Sequence, residues 1–127
     1  GAVLGAPLAH DFCVISLSDR LTSWEVIETR LACAARGDFA LALYNPSSKG
    51  RPDYLQKAVR VLLANGKTPE TVCGIVRNIG REGQEKRVLT LAELEKAQVD
   101  MFTTVFIGNA ATRELAGRMV TPRGYKR

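Results

Sequence analysis

Apolar positions in this chain alternate between short continuous runs and stripes at helical spacing. Residues 12–17 (Phe-Cys-Val-Ile-Ser-Leu) form a near-continuous apolar run, which predicts a strand buried on both faces. Ser18-Asp19-Arg20 ends it. Thr22-Ser-Trp-Glu25 then matches a capping box, and Trp24, Ile27, Leu31 and Ala34 or Ala35 make one helical stripe that Gly37 stops. Residues 39–44 predict a second strand, followed by a polar turn and a helix that opens at Pro52, with Leu55, Val59, Leu62 and Leu63 inward. Asn65-Gly66 closes that helix. Residues 71–76 predict the next strand, and a short polar loop over 77–84 returns the chain into residues 86–90. So short a link requires an antiparallel pair. Thr90-Leu-Ala-Glu93 is a second capping box, starting a short helix through about Ala97. Residues 102–107 form the last clear apolar strand, and Gly108 to Arg113 read as a polar turn into a short helix. The tail, residues 119–125, adds an edge strand or lies over the domain, whereas residues 1–8 resemble the end of a helix running into a turn.

The order β-α-β-α-β-β-α-β plus a tail predicts an α/β fold: a mixed β-sheet of about five strands flanked by helices. Three strands end in polar turns, at Tyr44-Asn45, Arg77-Asn78 and Gly108-Asn109. Strand ends of this kind line the crevice where an α/β sheet binds small molecules, so the three are expected to share a rim. After Tyr44, Ser47 and Ser48 offer hydroxyl donors and Lys49 and Arg51 offer charge, enough to hold an anion or the edge of a polar cofactor. The same residue types also describe an ordinary solvated connection. The turn is not a Walker loop, because its order is Ser-Ser-Lys-Gly with no Gly five places before the Lys.

At 127 residues, 46% hydrophobic and 24% charged, the chain fits one globular domain over 1–127. No apolar run is long enough to span a bilayer and no signal segment opens the chain, so a cytoplasmic location without membrane attachment is expected. Cys13, Cys33 and Cys73 are odd in number, widely spaced and set among apolar neighbours, which predicts small core residues. The single His10 has no partners with ligand spacing, so no metal is expected. The net charge of +5 favours an acidic partner. Basic residues crowd the end, at Arg113, Arg118, Arg123, Lys126 and Arg127, but they lack the interleaved aromatics of a nucleic-acid platform.

Several blocks in order carry a family resemblance: His10-Asp-Phe, Ser16-Leu-Ser-Asp19, Trp24-Glu25, Ala42-Leu-Tyr-Asn-Pro46 with Lys49-Gly-Arg51, and Gly74-Ile-Val-Arg-Asn78 with Gly80-Arg-Glu-Gly83. Asp100-Met-Phe-Thr-Thr104, Ile107-Gly-Asn109 and Met119-Val-Thr-Pro-Arg-Gly-Tyr125 continue it. Together they resemble the C-terminal half of the tetrapyrrole methylase family, in the branch that serves cobalamin (vitamin B12) biosynthesis. The chain has no initiating Met, which fits a piece cut from something longer.

The resemblance implies two α/β domains with S-adenosylmethionine in the cleft between them, and a homodimer. It implies C-methylation of a precorrin-3B type tetrapyrrole at ring carbon 17, with ring contraction. The Gly-rich cofactor loop of the family belongs to the N-terminal domain, and no Gly-x-Gly-x-Gly occurs here, so this piece alone is expected to be inactive. By motif, Tyr44 and Asn45 would touch the methionine and ribose side of the cofactor. Asn78 and Ile79 would approach adenine through backbone, Ile79 being bulkier than the Ala expected there. Asn109, Thr121 and Pro122 would close the same cleft, with Arg123 beside them. Lys49, Arg51, Arg77, Arg81 and Arg123 are the candidates to pair with the acidic arms of the substrate. No catalytic residue is identified. Two other readings fit the residues taken alone: a non-catalytic anion- or RNA-binding module, and a dimerisation module.

Overall fold

The computed structural model describes residues 5–6, 12–20, 22–46, 53–77, 83–100, 102–115 and 118–120. His10 and Pro52 therefore lie outside the described residues. In chain order the elements are β1 (Gly5–Ala6), β2 (Phe12–Ser16), α1 (Trp24–Arg36), β3 (Ala40–Tyr44), α2 (Tyr54–Ala64) and β4 (Val72–Arg77). They continue with β5 (Glu85–Thr90), α3 (Leu91–Glu95), β6 (Thr103–Ile107), β7 (Arg113–Leu115) and β8 (Arg118–Val120).

The main sheet has five strands in the order β2-β3-β6-β4-β5. β2 and β3 are parallel, β6 runs antiparallel to both of its neighbours β3 and β4, and β4 pairs antiparallel with β5. This is the expected mixed sheet, with β4 and β5 as the expected antiparallel pair. Side chains alternate across it. Ile15, Leu41, Leu43, Cys73, Leu89, Val105 and Ile107 face the helices and bury with Ile27, Leu31, Leu55, Val59, Leu62, Leu91 and Leu94 in one core. All three described helices thus contribute to that one core.

The opposite face holds a smaller buried cluster, Ala42, Val76 and Phe106, with Val72 and Val88 packed against it. A second, three-stranded sheet in the order β1-β8-β7 approaches the main one where β8 meets β4. Its strands correct two expectations. Residues 5–6 form a strand parallel to β8, not a helix end, and the chain after Asn109 enters β7 of a β7–β8 hairpin, not a short helix. Only Ala110, Ala111 and Thr112 lie between Asn109 and β7, too few to wind a stable helix.

β2 also departs from expectation. It is an edge strand, and Phe12 and Val14 are 46% and 58% exposed on the face away from the helices. An apolar run does not distinguish two covered faces from one covered face plus a bare one. Of the three cysteines expected in the core, Cys73 is buried, Cys13 partly so, and Cys33 lies exposed on α1.

Local signals explain most element ends. Thr90 and Glu93 form the expected capping box: the Thr90 N–H donates to Glu93 Oε1 at 2.8 Å and the Glu93 N–H to Thr90 Oγ1 at 3.2 Å. The other expected box, Thr22–Glu25, does not form, and a single cap one residue later takes its place. Ser23, extended at φ −64 and ψ 155, caps α1 by accepting from the Val26 N–H, in place of Thr22. Gly37 ends α1 in a right-handed conformation, and Asp38 takes the left-handed one at φ 54. Glycine is needed at 37 for room, since a Cβ there would sit 2.8 Å from the Phe39 ring.

One buried charge fastens the end of the sheet where β3 starts and β6 finishes. The Lys67 side chain is 2% exposed, and its ammonium donates to the carbonyls of Gly108 at 2.7 Å and Phe39 at 2.8 Å, and to Asp38 Oδ1 at 3.4 Å. Asp38 in turn accepts from the Ala110 N–H at 3.1 Å. Burial pushes the Lys67 pKa below the ordinary lysine value, and Asp38 draws it part of the way back. Nearby, burial raises the Cys73 thiol to about 12, so it stays protonated and is no nucleophile. Lys67→Met would strand the buried Gly108 carbonyl and the part-buried Phe39 carbonyl and should cost about 2–4 kcal/mol, read as a lower urea midpoint at unchanged slope.

Candidate functional site at the ends of β2, β3 and β4

Strand direction decides which polar turns share a rim. β2, β3 and β4 all run opposite to β6, so Ser16, Tyr44 and Arg77 finish at one end of the sheet, where β5 and β6 begin. Asn109 follows the other end of β6. Leu41 and Cys73 pair with Ile107, while Leu43 and Ile75 pair with Val105, so Tyr44 stands level with Thr104 and Asn109 lies roughly 17 Å further along at ~3.3 Å per residue. The expectation of one rim for all three turns fails for Asn109. Its side chain instead builds the far turn, with Oδ1 accepting from the Ala111 N–H at 2.9 Å and its own N–H donating to Thr112 Oγ1 at 3.0 Å. Gly108 is glycine because Thr112 occupies the space its Cβ would need, 2.4 Å away.

Tyr44 is 44% exposed at the rim, and Asn45 beside it holds φ 54, a left-handed conformation that Asn tolerates better than other residues with a Cβ. Asn45 Nδ2 donates to Ser16 Oγ at 3.2 Å, which joins the ends of β2 and β3. The Leu17 N–H extends the pairing by donating to the Tyr44 carbonyl at 3.0 Å. Beyond it, Tyr54 Oη donates to Asp19 Oδ2 at 2.5 Å, pinning the segment after β2 to the start of α2. Trp24 packs against Tyr54 with ring centroids 4.9 Å apart, and the Lys57 ammonium lies 4.9 Å from the Tyr54 ring and 5.8 Å from the Trp24 ring. Trp24 is thus a packing residue, as expected.

Two cavities open on this end. One, about 530 Å³, is lined by Ser16, Ser18, Arg20, Thr22, Arg30, Tyr44 and Asn45. The other, about 520 Å³, lies over β4, β5 and the start of β6, lined by Ile75, Arg77, Glu85, Lys86, Arg87, Gln98, Val99, Asp100 and Thr103. Their electrostatics differ. In the second, Arg77 Nε donates to Asp100 Oδ2 at 2.6 Å and Nη1 to Glu85 Oε1 at 3.2 Å, so its charge is already answered. Burial alone would raise Asp100, but Arg77, the Phe102 N–H and the Thr103 hydroxyl outweigh it and hold the carboxyl below its ordinary value. Arg77, expected to meet a substrate carboxylate, would first have to leave two partners.

The other expected contacts, Asn78, Ile79, Thr121 and Pro122 for the cofactor and Lys49, Arg51, Arg81 and Arg123 for the substrate, lie outside the described residues. Ser18, Arg20 and Arg30 are the rim residues that the sequence reading passed over. Their signal was available in principle: if β2 and β3 are parallel neighbours, whatever follows β2 stands beside whatever follows β3.

Two outcomes test this geometry. Asn45→Ala keeps the left-handed backbone and loses the tie to Ser16, and should cost about 1–2 kcal/mol, while Asn45→Gly costs less, both read by urea unfolding. Asp100 has a folded pKa below its unfolded value, so its ionised form stabilises the fold above the unfolded value and that contribution is lost as pH falls through the folded one. Stability measured from pH 7 to pH 2 should therefore fall less steeply for Asp100→Asn than for the wild type, with the two converging in acid.

Comparison with known proteins places this geometry. The family described as Tetrapyrrole (Corrin/Porphyrin) Methylases matches residues 1–95. A protein of Salmonella typhimurium named probable cobalt-factor III C(17)-methyltransferase is 48% identical over 98% of this chain and 51% of its own length. A precorrin-3B C(17)-methyltransferase of Sinorhizobium sp is 45% identical over 98% of this chain and 50% of its own length. Among solved structures, that of the methyltransferase CobJ superposes with a TM-score of 0.85 at 43% identity, covering 95% of this chain and 50% of that one. The chain spans about half the length of the curated relatives it matches. Among the described residues no helix is long and apolar enough to cross a membrane. By sequence along three quarters of its length and by fold, the chain belongs to the tetrapyrrole (corrin/porphyrin) methylase family.

Proposed function

We propose that this chain is the C-terminal half of an S-adenosylmethionine-dependent enzyme that methylates ring carbon 17 of a precorrin-3B or cobalt-factor III type tetrapyrrole, with ring contraction, in cobalamin biosynthesis. The observation that carries the reading is agreement along nearly the whole chain, 48% identity over 98% of it, with a relative named for that reaction. The whole enzyme is proposed to have a further, N-terminal α/β domain that contributes the Gly-rich cofactor loop, and to act as a homodimer.

The rim suits one wall of a cofactor site. Tyr44 offers a half-exposed ring and Asn45 an amide carbonyl as acceptor, both held in place by Ser16 and the Leu17 N–H. In this proposal Tyr44 and Asn45 meet the methionine and ribose side of S-adenosylmethionine, while Asn78 and Ile79, with Thr121 and Pro122, complete the contact. Asn109, at the other end of the sheet, is left out of it. The donor supplies a methyl group on a sulfonium, which passes to a nucleophilic ring carbon as the sulfonium becomes a thioether. What this chain supplies is position: holding two reactants in line is worth roughly 7–11 kcal/mol of barrier. No covalent nucleophile is required, which agrees with the protonated Cys73.

Isothermal calorimetry of the intact enzyme with S-adenosylhomocysteine tests the reading. Binding by the wild type, weakened about tenfold by Tyr44→Ala through loss of ring contact, is the expected result. Absence of binding by the wild type, or binding of single-stranded RNA with a steep salt dependence in its place, overturns it.

A further inference from the structure

The two rim cavities have matching sizes but differ in how far their positive charge is compensated. Around Arg77 the positive charge is spent on Asp100 and Glu85. Around Tyr44 the described lining contains two guanidiniums and no carboxylate, and neither Arg20 nor Arg30 has an ion-pair partner among the described residues. Asp19, the acid beside Arg20 in sequence, points its carboxylate at Tyr54.

The hydroxyls reinforce this polarity. Ser16 Oγ accepts from the Ser18 N–H at 3.2 Å and from Asn45 Nδ2 at 3.2 Å, so its acceptor capacity is filled and its proton remains to be donated. Ser18 Oγ accepts from the Arg20 N–H at 3.4 Å and keeps its own proton as well. The cavity therefore presents donors and positive charge with few acceptors, at a volume within the roughly 300–1,000 Å³ of small-molecule sites.

We propose that Arg20 and Arg30 form the clamp that holds the carboxylate arms of the tetrapyrrole against this rim, with Ser16 and Ser18 donating to the same oxygens. The identity of the anion as a tetrapyrrole rests on the methyltransferase reading; the anion site itself does not. Tyr44 and Asn45, which line the same cavity, stay with the methyl donor, so the macrocycle would lie beside it on the Arg20 and Arg30 side. A polycarboxylate gains more from two guanidiniums than S-adenosylmethionine does, whose single carboxylate is set against a sulfonium and an ammonium. Guanidinium forks grip carboxylates bidentately, which orients the macrocycle as well as retaining it.

The test uses the intact enzyme and two ligands, uroporphyrin as the polycarboxylate probe, followed by fluorescence, and S-adenosylhomocysteine, followed by calorimetry. Arg20→Gln and Arg30→Gln should each weaken uroporphyrin binding about tenfold and the double variant further, with S-adenosylhomocysteine affinity within about twofold of wild type. Arg87→Gln, which removes the same charge from the other cavity, should leave uroporphyrin binding nearly unchanged. Arg20→Lys and Arg30→Lys should fall between wild type and the Gln variants, and both residues are exposed, so thermal unfolding should stay at the wild-type temperature. The clamp is overturned if the wild type does not bind uroporphyrin, if the Gln variants bind it as well as the wild type, or if Arg87→Gln loses as much as they do. Loss of S-adenosylhomocysteine binding by the wild type, with Arg20-dependent uroporphyrin binding intact, would sink the methyltransferase reading and leave the clamp standing.

Discussion

The antiparallel insertion of β6 between β3 and β4 governs the molecule. Hydrogen-bond register leaves no freedom once Leu43 and Ile75 both pair with Val105: three strands must finish together at one end, and β6 must finish at the other. The two ends then carry different duties. At the Tyr44 end, backbone and side chains are joined loosely enough to leave two cavities. At the Asn109 end, the groups are tied to one another around an ammonium with almost no access to water. A buried cation so fully partnered holds the start of β3 and the turn after β6 in one arrangement.

Much of this was legible in the chain before any coordinates. Strand and helix order followed from apolar rhythm, and the β4–β5 pairing followed from the length of one loop. The Thr90–Glu93 box was readable because its two partners lie three residues apart. What failed involved partners distant in sequence. Nothing near Asn109 reveals that β6 runs against β3, because that direction is set by pairing with residues more than sixty positions earlier. The bare face of β2 was hidden for the same reason: Phe12 and Val14 look like any buried pair until the sheet order shows that they stand at its margin. Ser23 replaced Thr22 as the cap because both carry a suitable hydroxyl, and only the backbone decides which is extended.

The site was half legible. Tyr44 and Asn45 stood out as turn residues at a strand end, and the structure keeps them there. Counting basic residues did less well, since a positive side chain matters by what remains after its neighbours have answered it. Arg77 has two acidic neighbours supplied by other strands and loops, one of them twenty-three residues away. Arg20 and Arg30 look unremarkable in the sequence and acquire meaning because no acid among the described residues pairs with them.

The uneven burial of the three thiols has a practical side. Cys73 is sealed and firmly protonated, Cys13 is partly covered, and Cys33 stands open on α1, one turn beyond Arg30 and lining the same shallow recess beside β2. A maleimide dye would attach there first, leaving the sheet interior untouched. Its emission would then report on occupancy of the rim from a position next to it, without altering any residue proposed to meet a ligand.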